Sequence, residues 1–256
     1  MIKERRMEII LSELKQHGIV TVDELAEKIN TSRSTIRRDI DELEDMNSLK
    51  RIRGGAVSLS TGTTAHEPPF TVRQDMFLEE KARIAKAACE LVRSNETLLL
   101  SCGTTIHEFA KALTAINPPL YVATNDLMIA MELAYHPNIE LIVLGGSLRH
   151  NHFSLNGFFA ENAITQIHAD KAFLGVDAID FNIGFMNFSV EEIQAKKIMI
   201  QAAKEIIVLC DHSKFEKVAF VNMCAFRDVD LLITGKETPQ HIVEKLEEEG
   251  VRVMVV

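Results

Sequence analysis

The stretch TSRSTIRRDIDELE, residues 31–44, decides how the first part of this chain is read. Ile36, Ile40 and Leu43 recur at steps of four and three, which places them on one buried face of a helix. Ser32 suits the N-cap, where its hydroxyl accepts from an otherwise unpaired helical N–H. Arg33, Ser34, Thr35, Arg37 and Arg38 fall off the apolar face within the first two turns. That is the part of a helix that a major groove receives. A solvated amphipathic helix has the same pattern, so the neighbouring segments must decide.

They agree with one another. Residues 3–17 read as a helix with Met7, Ile10, Leu11 and Leu14 on one face and Gly18 as its stop. Thr21 and Glu24 have the spacing of a capping box, which opens a short helix carrying Leu25, Ala26 and Ile29. Only a few residues separate that helix from the next, the helix-turn-helix pattern. Beyond Asn47, residues 49–53 and 56–59 suit two short strands around Gly54-Gly55, a turn able to take positive φ. The strands form a small wing carrying Lys50, Arg51 and Arg53, placed to meet sugar–phosphate.

The run VTVDELAEKINTSRSTIRRDIDELEDMNSLKRIRGGAV resembles the winged helix-turn-helix of the DeoR family of bacterial transcription regulators, over nearly all of residues 1–58. The resemblance implies a double-stranded DNA operator as partner. Thr21, Ser32, Arg33, Ser34, Thr35, Arg37, Arg38, Lys50, Arg51 and Arg53 are the residues expected to face it.

Charge is distributed in keeping with this. The 256 residues carry a net charge of −9, yet residues 1–60 hold 11 Lys and Arg against 11 Asp and Glu. The surplus acid therefore lies beyond residue 60, and the basic side chains cluster at 33–38 and 50–53. A hydrophobic fraction of 46% and a charged fraction of 25% describe a folded soluble protein. No apolar run reaches membrane-spanning length, and Met1 leads into charged helical sequence, so a cytoplasmic, reduced chain is expected. Cys89, Cys102, Cys210 and Cys224 lack paired zinc spacing, and no metal or cofactor is expected.

Residues 59–74 are rich in Ser, Thr, Gly and Pro and read as a linker, with His66, Glu67 and Phe70 atypical of a flexible tether. From residue 75 to 256 helices alternate with short apolar segments. Strands are expected at 97–101, 120–124, 140–144, 172–176, 205–210, 229–234 and 252–256. Helices are expected at 79–93, 106–113, 126–134, 159–166, 189–203 and 239–249. Such alternation implies an α/β domain with a mainly parallel sheet covered on both faces, whose ligands bind beyond the carboxyl ends of the strands. Those ends carry Ser101-Cys-Gly-Thr-Thr105, Asn125, Gly145-Gly146 with Arg149, Asp177, and Asp211 with Lys214; Lys196 lies on a helix. Gly103 and the following helix start favour a phosphate, while Asn125 serves equally well as a helix cap.

GTT at 103–105, TN at 124–125, LGG at 144–146, DKAFLG at 170–175, E-x-x-x-K at 192–196 and DHSKF at 211–215 resemble, in order, the sensor domain of the same family. That domain is similar to ribose-5-phosphate isomerase. The resemblance implies an effector site for a phosphorylated sugar or sugar acid. Its phosphate would lie on Gly103, Thr104, Thr105 and Lys214, with Ser101, Asn125, Gly145, Gly146, Arg149, Asp177, Lys196 and Asp211 around the remainder. It also implies self-association, as a dimer or tetramer. Ser101 stands where the family usually has Asp, and Gln194 where it often has Glu. Fewer carboxylates would admit a more anionic ligand, such as a sugar-acid phosphate. The two halves together imply a repressor of carbohydrate catabolism genes, relieved or modulated by that effector.

Two readings compete with the repressor. An isomerase tethered to a DNA-binding domain would need Asp177 or Glu192 as base, but fold alone does not establish chemistry. His150 and His152 form an H-x-H of the kind a metal sensor uses, a spacing more often incidental. Cys102, at a helix start, has the setting of a reactive thiol, although a buried inert thiol fits as well.

Overall fold

The computed structural model describes residues 1–46, 48–52, 54–57, 67–116 and 118–256, in two compact units, 1–76 and 77–256. In the first unit, α1 (Lys3–His17), β1 (Ile19–Thr21), α2 (Val22–Ile29), α3 (Arg33–Asp45), β2 (Lys50–Ile52) and β3 (Gly55–Val57) precede a short helix α4 (Phe70–Arg73). α1 ends on Gly18 at φ 73, whose N–H reaches Leu14 O. The expected capping box is present: Glu24 N donates to Thr21 Oγ1 while the Glu24 carboxylate accepts from Thr21 N. Ser32 caps α3 through Thr35 N. Ile10, Leu14, Leu25, Ile29, Ile36, Ile40 and Leu43 meet in one core with Val20, Val22, Leu49 and Ala56.

The wing is a three-stranded antiparallel sheet in the order β1-β3-β2. Gly54 has φ 86, as the turn requires, but Gly55 is glycine for a different reason. A Cβ on Gly55 would lie 2.0 Å from Val20 O, so the wing packs backbone to backbone against β1. Of the segment read as linker, residues 59–66 lie outside the described residues. Within residues 67–74, Arg73 closes an ion pair of 2.6 Å onto Glu67.

The second unit runs α5 (Leu78–Cys89), β4 (Thr97–Leu100), α6 (Thr104–Ile116), β5 (Leu120–Thr124), α7 (Leu127–Leu133) and β6 (Ile139–Val143). A hairpin of β7 (Ser147–Leu148) and β8 (Leu155–Asn156) leads to α8 (Phe158–Thr165) and β9 (Ala169–Gly175). Then come β10 (Ala178–Asp180), β11 (Gly184–Asn187), α9 (Val190–Ala202), β12 (Ala203–Leu209) and β13 (Val221–Cys224). β14 (Leu231–Thr234), α10 (Gln240–Glu248) and β15 (Arg252–Val255) complete it.

Seven strands form one wholly parallel sheet, in the order β15-β14-β12-β9-β4-β5-β6. Alternation along each strand sends side chains to opposite faces. Leu98 and Leu100 join Ile84, Ile106, Phe109 and Ile129 of α5, α6 and α7. Leu99 joins Ile164, Ile193, Met199 and Leu246 of α8, α9 and α10. A second sheet, β10-β11-β13, was not expected from the sequence; it is antiparallel and packs on the latter face through Phe185 and Met223.

Candidate nucleic-acid interface and ligand crevice

α3 owes its place to both faces. Its apolar stripe is in the core, and beside that stripe Asp39 is buried, gripped by Arg6 of α1 through Nε at 2.6 Å and a second nitrogen at 2.9 Å. This bidentate pair fixes the roll of α3 on α1. Removal of Arg6 would strand a buried carboxylate, which is costlier than removing the partner of a cation that can turn to water. Arg6→Ala is therefore expected to lower the thermal midpoint of unfolding more than Asp39→Ala does, read by circular dichroism.

The cations of this unit are not equivalent. Arg33 pairs with Asp23 at 2.7 Å, and Arg51 pairs with Asp41 while its N–H donates to Glu44 Oε1. Arg37 and Arg38 are exposed and make no ion pair among the described residues. Arg37, Glu44, Arg51, Gly54 and Gly55 line a groove between α3 and the wing. Thr21 Oγ1 both accepts from Glu24 N and donates to Glu24 Oε2, and Ser32, Ser34 and Thr35 share hydroxyl contacts at the start of α3. Lys50 is exposed on β2; Arg53 lies outside the described residues.

In the second unit the parallel strands deliver their carboxyl ends to one edge of the sheet. β4, β5, β9 and β12 end there with Ser101, Asn125, Asp177 and Asp211 close behind. Ser101 Oγ accepts from Gly175 N at 3.0 Å and so ties β4 to β9. Gly103 sits at φ 140, and α6 begins at Thr104, two residues before the sequence suggested, with Thr104 and Thr105 in its first turn. Gly145 lies in open space, whereas a Cβ on Gly146 would be 2.5 Å from Asn156 O.

Two clusters of buried polar groups border these ends. In one, Glu192 Oε1 accepts from Arg149 at 2.9 Å and from Ser154 Oγ at 2.7 Å, and Asn125 Nδ2 donates to Leu155 O. In the other, Asp177 Oδ2 accepts from Asn187 Nδ2 and Phe188 N, and Lys196 Nζ donates to Gly175 O at 2.7 Å. Glu192 and Lys196 share one face of α9, four residues apart. Burial pushes the Asp211 carboxyl up, but Lys214, Lys81 and the bonds from Ser213 Oγ and N together hold it below the ordinary range. Asp126, Ser154, Asn187 and buried Lys81 were not singled out from the sequence as binding residues, and Glu192 only in the E-x-x-x-K motif and as a candidate base. Only burial marks the first four, and burial of a polar side chain has no local pattern.

Asp126 caps α7 through Met128 N and Ile129 N, and Gly103 N also points at its Oδ2, at 3.4 Å. Burial drives its carboxyl up to about 6, against these bonds. The folded protein thus holds this proton more tightly than the unfolded chain. Its contribution to stability falls as pH rises from about 4 to about 6. Asp126→Asn keeps a capping oxygen and removes the charge. Its stability relative to the parent is expected to climb across that window by roughly 3 kcal/mol, measured by urea unfolding at each pH. A pH-independent difference would place the titration elsewhere.

The thiols offer little chemistry: burial pushes Cys89 and Cys224 up to about 12, and Cys102 is buried. Among the described residues, Glu80, Asp211 and His212 form the one grouping with metal-ligand geometry. It excludes His150 and His152, and His212 Nδ1 already bonds Glu80 Oε2 at 2.7 Å. No described helix is long and apolar enough to cross a membrane.

Comparison with known proteins fits both halves. A family model described as a DeoR-like helix-turn-helix domain matches residues 6–62, and one described as the DeoR C-terminal sensor domain matches residues 76–236. The transcriptional repressor GlcR of Bacillus subtilis (strain 168) is 34% identical over 100% of this chain and 97% of its own. The glycerol-3-phosphate regulon repressor of Escherichia coli (strain K12) is 31% identical over 95% of each. These relatives are named as transcriptional regulators, not enzymes. A solved ribose 5-phosphate isomerase from Methanocaldococcus jannaschii overlaps 53% of each chain at 22% identity, with a TM-score of 0.39. So partial an overlap bears on neither ligand nor chemistry.

Proposed function

Because the chain belongs to the DeoR family of transcriptional regulators, we propose that it represses carbohydrate-utilisation genes and releases them when a phosphorylated sugar or sugar acid binds. α3 enters the major groove, Arg33 to Arg38 and the wing cations Lys50, Arg51 and Arg53 meet bases and phosphates, and two or more copies span a two-fold operator. The names of relatives, a glycerol-3-phosphate regulon repressor and an aga operon repressor among them, favour a sugar-related regulon.

The observation that carries the effector reading is the start of α6. It leaves β4 through Gly103 at φ 140 with Thr104 and Thr105 in its first turn. Open N–H groups, the positive end of the helix dipole and two hydroxyls form a phosphate cradle. Ligand control requires unequal affinity for the DNA-bound and free states.

The test begins with a panel of sugar phosphates screened for a rise in thermal midpoint, since a ligand of the native state stabilises it. Hits are added to a complex with operator DNA selected from a random library. Release from DNA is the expected result; midpoints unmoved by every member would end the sugar-phosphate reading. Thr104→Val with Thr105→Val is expected to weaken the hit by about 100-fold while operator affinity without ligand stays unchanged. A response retained by this double variant would move the phosphate to another strand end.

A further inference from the structure

The turn that carries Asp211 and Lys214 is fastened to the start of α5 at several points. Past β12 the chain makes one turn of 3-10 helix, His212–Lys214, capped by Asp211 through Ser213 N. His212 donates its N–H to Glu80 Oε1 at 2.8 Å, and its Nδ1 lies 2.7 Å from Glu80 Oε2. Glu80 is buried in the first turn of α5. Its carboxylate only accepts, so both bonds are donated by His212. Gly235, just past β14, leaves room for this side chain, since a Cβ there would lie 2.4 Å from Glu80 Cγ. Against the burial of Asp211, the charge of Lys81, the next residue of α5, helps to keep that carboxyl ionised.

The same fastening ends on a strained residue. Phe77 is the N-cap of α5 and the first residue of the second unit, so the first unit is attached through it. Its φ of 53 and ψ of 36 lie in the left-handed region, which a bulky side chain seldom adopts. Backbone of this kind persists only where its surroundings hold it. The Phe77 ring meets the His212 ring edge to face, with centroids 4.7 Å apart and planes at 74°. Its carbonyl accepts from Lys81 N at 3.0 Å and so opens the helix. One histidine therefore touches both the strained entry of α5 and the buried acid of its first turn.

We propose that His212 carries the effector's signal: a ligand held by the 211–214 turn shifts His212, which through its ring and Glu80 resets the backbone of Phe77 and with it the path of the chain towards the first unit. This rests on the sugar-phosphate reading, because Asp211 and Lys214 belong to its candidate crevice. His212 is here a positioning residue rather than a ligand contact. The element with two states is Phe77, left-handed while His212 holds it and in the ordinary backbone region once released. A ligand that favours one placing of His212 biases that equilibrium, and by linkage the operator alters ligand affinity by the same factor.

The test measures binding and coupling separately in the full chain. Operator affinity is titrated with and without a saturating sugar phosphate, and sugar phosphate alone is titrated by calorimetry. The probes are D-ribose 5-phosphate, D-fructose 6-phosphate, D-glucose 6-phosphate and glycerol 3-phosphate, carried forward where they bind the parent. The parent is expected to lose operator affinity by about tenfold or more when the probe is bound. His212→Ala and Phe77→Gly are each expected to bind probe and operator as the parent does, with a ratio of affinities that falls to about one. Glycine adopts the left-handed region without strain, so Phe77→Gly keeps the start of α5 and decides the matter where His212→Ala does not fold. A folded variant that binds the probe and keeps the parent's ratio overturns the inference. A folded variant that loses the probe or the operator also overturns it, because its residue then serves binding itself. So does a parent whose operator affinity is unmoved by a bound probe. All three results leave sugar-phosphate binding standing, whereas a parent that holds its operator and binds no probe overturns both readings.

Discussion

Alanine at position 55 is expected to abolish operator binding while leaving the second unit folded. The added Cβ would stand 2.0 Å from Val20 O and 3.0 Å from Thr21 Cα, both backbone atoms that no rotamer change can move. β3 must then leave β1, and β2, paired only through β3, goes with it. Forced overpacking of this kind costs about 3 kcal/mol, a large share of the stability of a small domain. Gly54 supplies the contrast, since its Cβ position is open and only its φ of 86 resists substitution. Gly54→Asn is expected to keep most of the affinity, because Asn tolerates that region, whereas Gly55→Ala loses it. Mobility-shift titration of the operator together with amide exchange over β1 and β3 reads both effects. Equal behaviour of the two variants would mean that close approach to β1 does not hold the wing.

The second large effect is expected from Arg37→Ala combined with Arg38→Ala. Both side chains are exposed and make no ion pair among the described residues, so their removal leaves the core intact. Operator affinity at fixed salt is expected to fall by about 100-fold. For each phosphate that one of these arginines neutralises, its removal should shrink the slope of log affinity against log salt by about one. An arginine that reads a base instead relaxes sequence preference at one position when removed, with little change of slope, so each single variant assigns its arginine to one role. Effector binding and thermal midpoint should not move. Unchanged operator affinity would take α3 out of the groove.

What the sequence disclosed and what it hid divide along physical lines. Helix starts and stops at Gly18, Thr21 and Ser32 were legible because a cap is a local event between residues three apart. The parallel strands were legible because burial on both faces demands unbroken apolar runs. Hidden were the features that depend on what arrives from far along the chain. Nothing local distinguishes Asp39 from a solvated acid in a charged helix; its partner, Arg6, arrives from α1, 33 residues earlier. The turn glycines looked alike, although one serves φ and the other a close approach to β1. β10, β11 and β13 are three or four residues long, too short to show a period, and their pairing across residues 178–224 has no local trace. Asn125 was visible by its place after a strand, but Asn156 and Asn187 drew no notice, since an asparagine in a loop is ordinarily a turn residue.

The strand order of the large sheet also bears on how the protein is made. β4 leaves the ribosome early and finds β5 and then β6 on one side, but its neighbour on the other side is β9, which begins only at Ala169. For the several seconds that synthesis of the intervening chain takes, the apolar strand Thr97–Leu100 has one bare edge. Nascent chains stalled or truncated in this interval should therefore be prone to strand-to-strand aggregation. Each later strand hands the bare edge on, from β9 to β12 and β14, so this tendency should last until β15 has emerged. The first unit, built from contacts within its own first sixty or so residues, can be complete and able to hold DNA before that point is reached.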